Sequence, residues 1–200
     1  MSSQFGELSD MNKEELLRLS LAEGEETEGL QEIPDNLRLQ NVEVKTDRLE
    51  GRQRQIAAKI RLPYSVTQIW QILTDYDHLA DFIPNLAKSQ RIQHPQGGIR
   101  IEQIGTESLL RLKFCARVVL DMVEHFPHQL DFNMVEGDFK VFRGSWLLQP
   151  LGDSSMELCY KVSVLPPRVM PVQVIERRLS SGLILNLSAI HQRAESLFRA

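Results

Sequence analysis

Histidine and cysteine, the side chains most often found as metal ligands and thiol nucleophiles, number five and two in this 200-residue chain. Of the five histidines only His125 and His128 stand close together, and the intervening Pro127 prevents a helical face from presenting both rings. Cys115 and Cys159 fit neither a disulfide framework nor a paired zinc motif. We therefore predict two free thiols, no metal site and no cofactor.

Motifs for phosphate binding and nucleophilic catalysis are also missing, since the chain has no Gly-rich phosphate loop and no Gly-x-Ser-x-Gly elbow. An acid–base enzyme would need a titratable group inside the domain. Glu102, Glu107 and Arg143 are candidate polar groups of an interior, with His125 at a strand end, because the sequence pattern leaves their direction open. Acidic residues are rarely buried without a partner, so a surface position is favoured for each.

Composition and charge outline the domain that must position such groups. With 42% hydrophobic and 25% charged residues, the chain has enough apolar side chains for one globular core. Residues 1–40 hold ten acidic and three basic residues, a charge of −7, which leaves +3 for residues 41–200. The run Glu23-Gly-Glu-Glu-Thr-Glu-Gly29 favours disorder, and residues 10–22 could form a short amphipathic helix that needs a partner surface. We predict a largely disordered acidic extension over 1–40 and one domain over 41–200.

No apolar run approaches the roughly 18 residues that span a bilayer, and the first 21 residues lack the basic and apolar segments of a secretory signal. The prediction is a cytoplasmic protein.

Apolar and polar residues alternate with a period of two through most of the domain, which predicts β-strands. Ile56, Ala58 and Ile60 face one way, for example, while Gln55 and Lys59 face the other. Such alternation is typical of an antiparallel sheet with one solvated face. The predicted strands cover residues 42–46, 55–62, 86–94, 99–107, 109–124, 129–136, 139–149 and 156–164.

The period changes to that of a helix in two places. Ser65 and Gln68 form a capping-box pattern before a short helix, and a second helical piece over 76–82 follows. After Pro171, apolar residues recur every three or four positions as far as Leu197, which predicts one helix of roughly 40 Å. Gly182 inside this helix is expected either to allow close packing or to relieve a bend. This order of elements predicts an α+β domain of two layers.

Two stretches carry a family resemblance: residues 62–84, which open Leu-Pro-Tyr-Ser-Val, and residues 144–160, which begin Gly-Ser-Trp-Leu-Leu-Gln-Pro and end Met-Glu-Leu-Cys-Tyr. They resemble the opening and the penultimate hairpin of the polyketide cyclase/dehydrase and START-like (SRPBCC) superfamily, nearest its coenzyme Q-binding branch. The resemblance spans roughly residues 52–198. It implies a helix-grip fold, in which a curved antiparallel sheet wraps around a long C-terminal helix and two short helices follow the first strands, with a hydrophobic cavity between the layers.

Residues on the predicted inward faces are expected to line that cavity. They are apolar or aromatic, although each could equally be a core filler. The predicted lining residues are Trp70, Leu73, Phe82, Leu112, Phe114, Phe132, Met134, Trp146, Tyr160, Leu179 and Leu183.

The function that these patterns favour is binding or transport of a hydrophobic small molecule such as an isoprenoid quinone, pigment precursor or lipid. A cyclase or dehydratase acting on a polyketide-like or aromatic substrate is one alternative, and an RNA- or ribosome-interacting regulator is another. Lys59, Arg61, Arg111, Lys113 and Arg117 give the outward face a basic character, which could meet an anionic membrane. Nucleic acid is disfavoured as a partner because outward aromatic residues are scarce.

Overall fold

The computed structural model describes residues 42–109, 112–168 and 171–199, with side chains at these positions except 107–109 and 112–114. The predicted acidic extension over 1–40 lies outside the described residues. The described elements are eight strands, two α-helices and a 3-10 helix. In chain order they are β1 (Glu43–Arg48), β2 (Arg54–Leu62), α1 (Val66–Thr74), the 3-10 helix (Tyr76–Asp81), β3 (Leu86–Ile92), β4 (Ile99–Leu109), β5 (Leu112–His125), β6 (Gln129–Gly137), β7 (Val141–Gly152), β8 (Ser155–Leu165) and α2 (Val172–Phe198).

The strands form one antiparallel sheet in the order β1-β2-β8-β7-β6-β5-β4-β3. Each pair of consecutive strands from β3 to β8 forms a hairpin. The remaining contact joins β2 to β8, which are far apart in the sequence, so that β1 and β3 are the two edge strands. The tight β1–β2 turn uses Gly51 at φ 57°, a conformation that suits glycine. With α2 as the second layer this is the helix-grip fold, and the predicted architecture is confirmed.

Helix α1 begins where the sequence predicts. The Ser65 side chain accepts a hydrogen bond from the Gln68 backbone N–H at 3.3 Å, and the Gln68 side chain accepts one from the Ser65 N–H at 2.9 Å. Ile69, Trp70 and Leu73 are buried, and α1 packs against α2 and β7. This end of the space between the layers is closed.

Helix α2 makes its nearest approaches to β1, β2 and α1. Leu183, Leu187, Ile190 and Ala194 form its buried stripe, with at most 2% of each residue exposed. A Cβ atom at Gly182 would meet nothing within 4 Å. The expectation that Gly182 allows close packing is therefore wrong, because its flank of the helix faces open space.

Cys115 and Cys159 are free thiols, as predicted. They lie on β5 and β8, which β6 and β7 separate.

Candidate functional site

Aromatic rings gather on the inner face of β6, β7 and β8, the face toward α2. The rings of Trp146 and Tyr160 stack at 3.7 Å with 5° between their planes, and these residues are direct partners in the β7–β8 register. The Phe132 ring lies 6.0 Å from that of Tyr160 and 5.6 Å from that of Phe142, which stacks on Phe139 at 5.3 Å. We call these five residues the aromatic cluster.

Most of the aromatic cluster is only half-buried. Phe132 is 4% exposed, but Phe139, Phe142, Trp146 and Tyr160 pack against the core while part of each remains accessible to solvent. Exposed apolar surface costs about 25 cal/mol per Å², and a contiguous apolar patch of this kind often marks a binding site.

Apolar residues of the first turns of α2 share this half-buried state. Ile175 and Leu179 also pack against the core without being covered, as does Met134 on β6. We call the aromatic cluster together with these three residues the aromatic cleft. Its residues come from β6, β7, β8 and the turn between β6 and β7 on one side, and from α2 on the other.

Gly144 allows the floor of the cleft to form. A Cβ atom at this position would lie 1.9 Å from the Lys161 carbonyl oxygen and 2.6 Å from Cζ of Phe132. Only a residue without a side chain lets the Phe132 ring cross β7 there. In the Gly-Ser-Trp sequence at 144–146, the residue without a side chain therefore lies two positions before Trp146, on the same strand.

The Tyr160 hydroxyl is the polar group of the aromatic cluster, apart from the indole N–H of Trp146. Burial raises the pKa of Tyr160 above its ordinary value of 10.0. The group therefore stays protonated at neutral pH, where it can donate a hydrogen bond but cannot act as a general base.

A charged pair lies at the rim of the cleft and was missed by the sequence analysis. Nε of Arg54 donates to Oε2 of Glu176 at 2.9 Å, which ties the start of β2 to the first turns of α2. Arg54 is paired with Val164 and shares the inner face with Ile56. The alternation that assigned Ile56 to the inner face would have assigned Arg54 to it as well.

A second polar contact closes the opposite side of the inner face. The Tyr76 hydroxyl donates to Oε1 of Glu124 at 2.8 Å, and the Arg91 guanidinium lies 5.0 Å from the Tyr76 ring centroid. Burial raises the pKa of the Tyr76 phenol, and the Glu124 hydrogen bond adds to that effect. Tyr76 is 1% exposed, so it is a structural anchor rather than an accessible group.

The predicted lining residues divide into three sets. Phe132, Trp146 and Tyr160 are joined by ring contacts, and Met134 and Leu179 share the half-buried state of the latter two. Trp70, Leu73 and Leu183 are buried core residues, and half-buried Phe82 lies under the Arg193 guanidinium, 5.5 Å from its ring centroid. The side chains of Leu112, Phe114 and Glu107 lie outside those that the structure describes.

Glu102 does not face the space between the layers. Its Oε2 accepts from Nζ of Lys88 at 2.6 Å and its Oε1 from Nε of Arg117 at 2.7 Å, on the outer face of the sheet. Hydrogen bonds from these two cations hold the pKa of Glu102 below its usual value.

Arg143 is likewise directed away from the cleft. It is exposed, pairs with Ser163 across β7–β8, and lines a shallow groove of about 330 Å³ with Asn133 and Lys161. Neither Glu102 nor Arg143 supplies a polar group to the cleft.

Ion pairs reduce the basic character of the outer face. Lys59 contacts Glu43 at 3.1 Å, Arg61 contacts Glu157 at 3.7 Å, and Arg117 joins Glu102 to Glu136. Basic residues that follow one another along a strand therefore have acidic partners, most of them on the neighbouring strands of the sheet.

The cleft differs from the enclosed chamber that the sequence predicts. Its rings contact one another. A groove of about 360 Å³ lies between β1 and α2, and a shallow groove of about 330 Å³ on the outer face reaches Phe132 and Gly144 but no other residue assigned to the cleft. Across residues 42–109, 112–168 and 171–199 no group of three or more His, Cys, Asp or Glu residues could hold a metal ion. No helix in the same part of the chain is long and apolar enough to cross a membrane.

Comparisons with known proteins identify a matching family and several structures of similar fold. The profile of the family described as "Polyketide cyclase / dehydrase and lipid transport" matches residues 62–187. No curated protein matches.

Several solved structures share the fold at low sequence identity. A STAR-related lipid transfer protein from Xanthomonas axonopodis is 13% identical, with a TM-score of 0.65 over 78% of this chain and 95% of that one. Human STARD10 is 11% identical, with a TM-score of 0.63 over 78% and 70% of the two chains. The Zhui aromatase/cyclase from a Streptomyces species is 14% identical, with a TM-score of 0.61 over 74% and 97%.

Proposed function

This chain belongs to the polyketide cyclase/dehydrase and lipid transport family, and on that premise we propose that it binds a hydrophobic small molecule in the aromatic cleft and carries it without transforming it. The observation that carries the proposal is the half-buried state of Phe139, Phe142, Trp146 and Tyr160 beside a fully buried core. Lipid transfer and cyclase names both occur among the proteins of the same fold.

The cleft favours a flat or isoprenoid apolar ligand. Flat faces of Trp146 and Phe142 can stack against a ring, and covering about 400 Å² of apolar ligand surface is worth near 10 kcal/mol before entropy losses. The Tyr160 hydroxyl and the Arg54–Glu176 pair offer hydrogen-bonding groups for one polar end of the ligand. An isoprenoid quinone meets both requirements, and pigment precursors and lipids are the other classes to test.

The cyclase or dehydratase alternative has less support. Such an enzyme needs an acid or base beside the substrate. Among the candidate residues, Glu102 and Arg143 point away from the cleft, and burial raises the pKa of Tyr160, which makes its hydroxyl a weaker acid than an ordinary phenol. Arg54 and Glu176 neutralise each other at the rim.

Tryptophan fluorescence tests the binding proposal because the two tryptophans lie in different regions. Trp146 is in the cleft, whereas Trp70 lies on the buried face of α1 and is 8% exposed. In a Trp70→Phe background the remaining Trp146 reports on the cleft, and in a Trp146→Phe background Trp70 reports on the core. A short-chain isoprenoid quinone should quench Trp146 saturably and Trp70 weakly. Equal, unsaturable quenching of both would contradict the proposal.

A variant that blocks the cleft, with a matched control, separates specific ligand binding from nonspecific hydrophobic binding. Leu179→Trp inserts a large ring into the cleft, while Leu197→Trp puts the same ring at a position that is 48% exposed on the same helix. We expect Leu179→Trp to lose any co-purifying apolar ligand in native mass spectrometry followed by organic extraction, and Leu197→Trp to retain it.

A further inference from the structure

A groove of about 360 Å³ separates the edge strand β1 from the first half of α2. Val44 and Arg48 line it from β1, and Arg177, Ser180 and Ile184 are among the residues that line it from α2. We call it the edge groove. It lies on the opposite flank of α2 from Gly182, and it shares one residue, Glu176, with the rim of the aromatic cleft.

The edge groove carries positive charge that the described residues do not neutralise. Arg48 and Arg177 have no carboxylate partner among residues 42–109, 112–168 and 171–199, and Glu176, the acid of the groove, is committed to Arg54 at 2.9 Å. The cations of the outer face differ, because Lys59, Lys88 and Arg117 are paired.

The groove also contains an apolar strip. Val44 is 37% exposed on the outermost strand of the sheet, and Ile184 faces it from the helix. A segment with carboxylates and a few apolar side chains would complement this surface.

A segment of this composition precedes β1, the strand that forms one side of the edge groove. The described chain starts at residue 42, directly before β1, and the residues that precede it carry ten acids against three bases. Glu23, Glu25, Glu26 and Glu28 form the densest acidic run.

The residues between Glu28 and β1 are numerous enough for the acidic run to reach the edge groove. A flexible tether of that length has a root-mean-square span of roughly 20 Å, about the length of a strand of six residues. A contact made within one chain at an effective concentration near the millimolar range needs only weak intrinsic affinity.

We propose that the acidic run Glu23–Glu28 docks in the edge groove of its own domain, with its carboxylates on Arg48 and Arg177. Docking covers the start of α2 and the free edge of β1. The proposal holds whatever the aromatic cleft binds.

Zero-length carbodiimide cross-linking of the full chain tests the contact. Arg177→Lys keeps the charge and supplies an amine that can be joined to a carboxylate, and Arg143→Lys does the same in the outer groove. We expect the Arg177→Lys variant to give a new cross-link to the peptide that contains residues 23–28, and the Arg143→Lys variant to give none. Equal cross-linking by both variants, or none from position 177, would overturn the proposal.

Isotope mixing and hydrogen exchange complete the test. In a mixture of light and heavy protein, cross-links should join segments of the same isotope, and cross-links between copies would overturn docking within one chain. Neutralising the acidic run with Glu→Gln changes at positions 23, 25, 26 and 28 should speed amide exchange in residues 173–184 by about threefold if the segment is docked two-thirds of the time. Unchanged exchange would contradict the proposal.

Discussion

The two ends of the space between sheet and helix are built from similar residues and packed differently. At the end with α1, Ile69 of that helix and the strand residues Leu62, Met156 and Leu158 are each at most 1% exposed. Toward the other end, on β7, larger rings such as Trp146 and Phe142 stay half-exposed. The difference shows that hydrophobicity alone does not close a layer; a covering element does, and among residues 42–109, 112–168 and 171–199 only the first end has one.

The largest expected effect lies at the packed end. Leu158→Ala should lower the free energy of unfolding by about 3 kcal/mol, because a leucine with no exposed surface leaves a cavity that its neighbours cannot fill. Urea unfolding measures the change. Leu151→Ala, at a position that is 48% exposed, is the control and should cost less than 0.5 kcal/mol.

Gly144→Ala tests whether the floor of the cleft is as strictly determined as the packed core. We expect a loss of about 2 kcal/mol in unfolding free energy, since the new methyl group overlaps the Lys161 carbonyl and the Phe132 ring. Gly152→Ala on the same strand is the matched control, because its Cβ would meet only Ser155 Oγ at 3.6 Å. Equal stability of the two variants would show that β7 can move away from β8.

Trp146→Ala should separate stability from binding. Because the ring is half-buried, we expect a loss of about 1 kcal/mol in unfolding free energy, less than for Leu158→Ala despite the larger side chain. Affinity for a short-chain isoprenoid quinone should fall by at least about tenfold, or 1.4 kcal/mol. A loss near 4 kcal/mol in stability with unchanged affinity would show that Trp146 is a core residue.

Gly182→Ala should stabilise the protein by up to about 1 kcal/mol, because alanine has the higher helix propensity and its methyl group meets open space. Thermal unfolding of this variant beside Gly144→Ala measures the contrast between two glycines, one required and one tolerated. A destabilised Gly182→Ala variant would indicate that this flank of α2 is covered.

The smallest change in unfolding free energy is expected on the outer face of the sheet, away from both ends of the space between sheet and helix. Glu102→Gln removes an acid whose pKa is lowered by hydrogen bonds from Lys88 and Arg117, so it should cost about 0.5–1 kcal/mol at pH 7. A lowered pKa stabilises the fold above the unfolded value, here 4.5, and that contribution is lost as the pH falls through the folded value. The difference between wild type and variant should therefore disappear in acid, as urea titrations at several pH values would show.

Periodicity predicts the strands, the capped α1 and the long α2 because each is a local pattern repeated over many residues. Direction is harder where a strand is mixed: on β4, Ile99 and Ile101 face inward but Ile104 shares the outer parity of Glu102. The ion pairs of Glu102 depend on β3 and β5, which no window of sequence contains. Likewise the burial of Trp146 depends on what covers it, so sequence can assign its face but not its exposure.

The pairing of β2 with β8 has a consequence for biosynthesis. At roughly 5–20 residues per second, the ribosome needs on the order of ten seconds between completing β2 and completing its partner. Throughout that interval Ile56 and Ile60 lack the strand and the helix that later cover them. The nascent chain thus exposes an unfinished apolar sheet, and under the proposed function a ligand can be bound only after α2 has been translated.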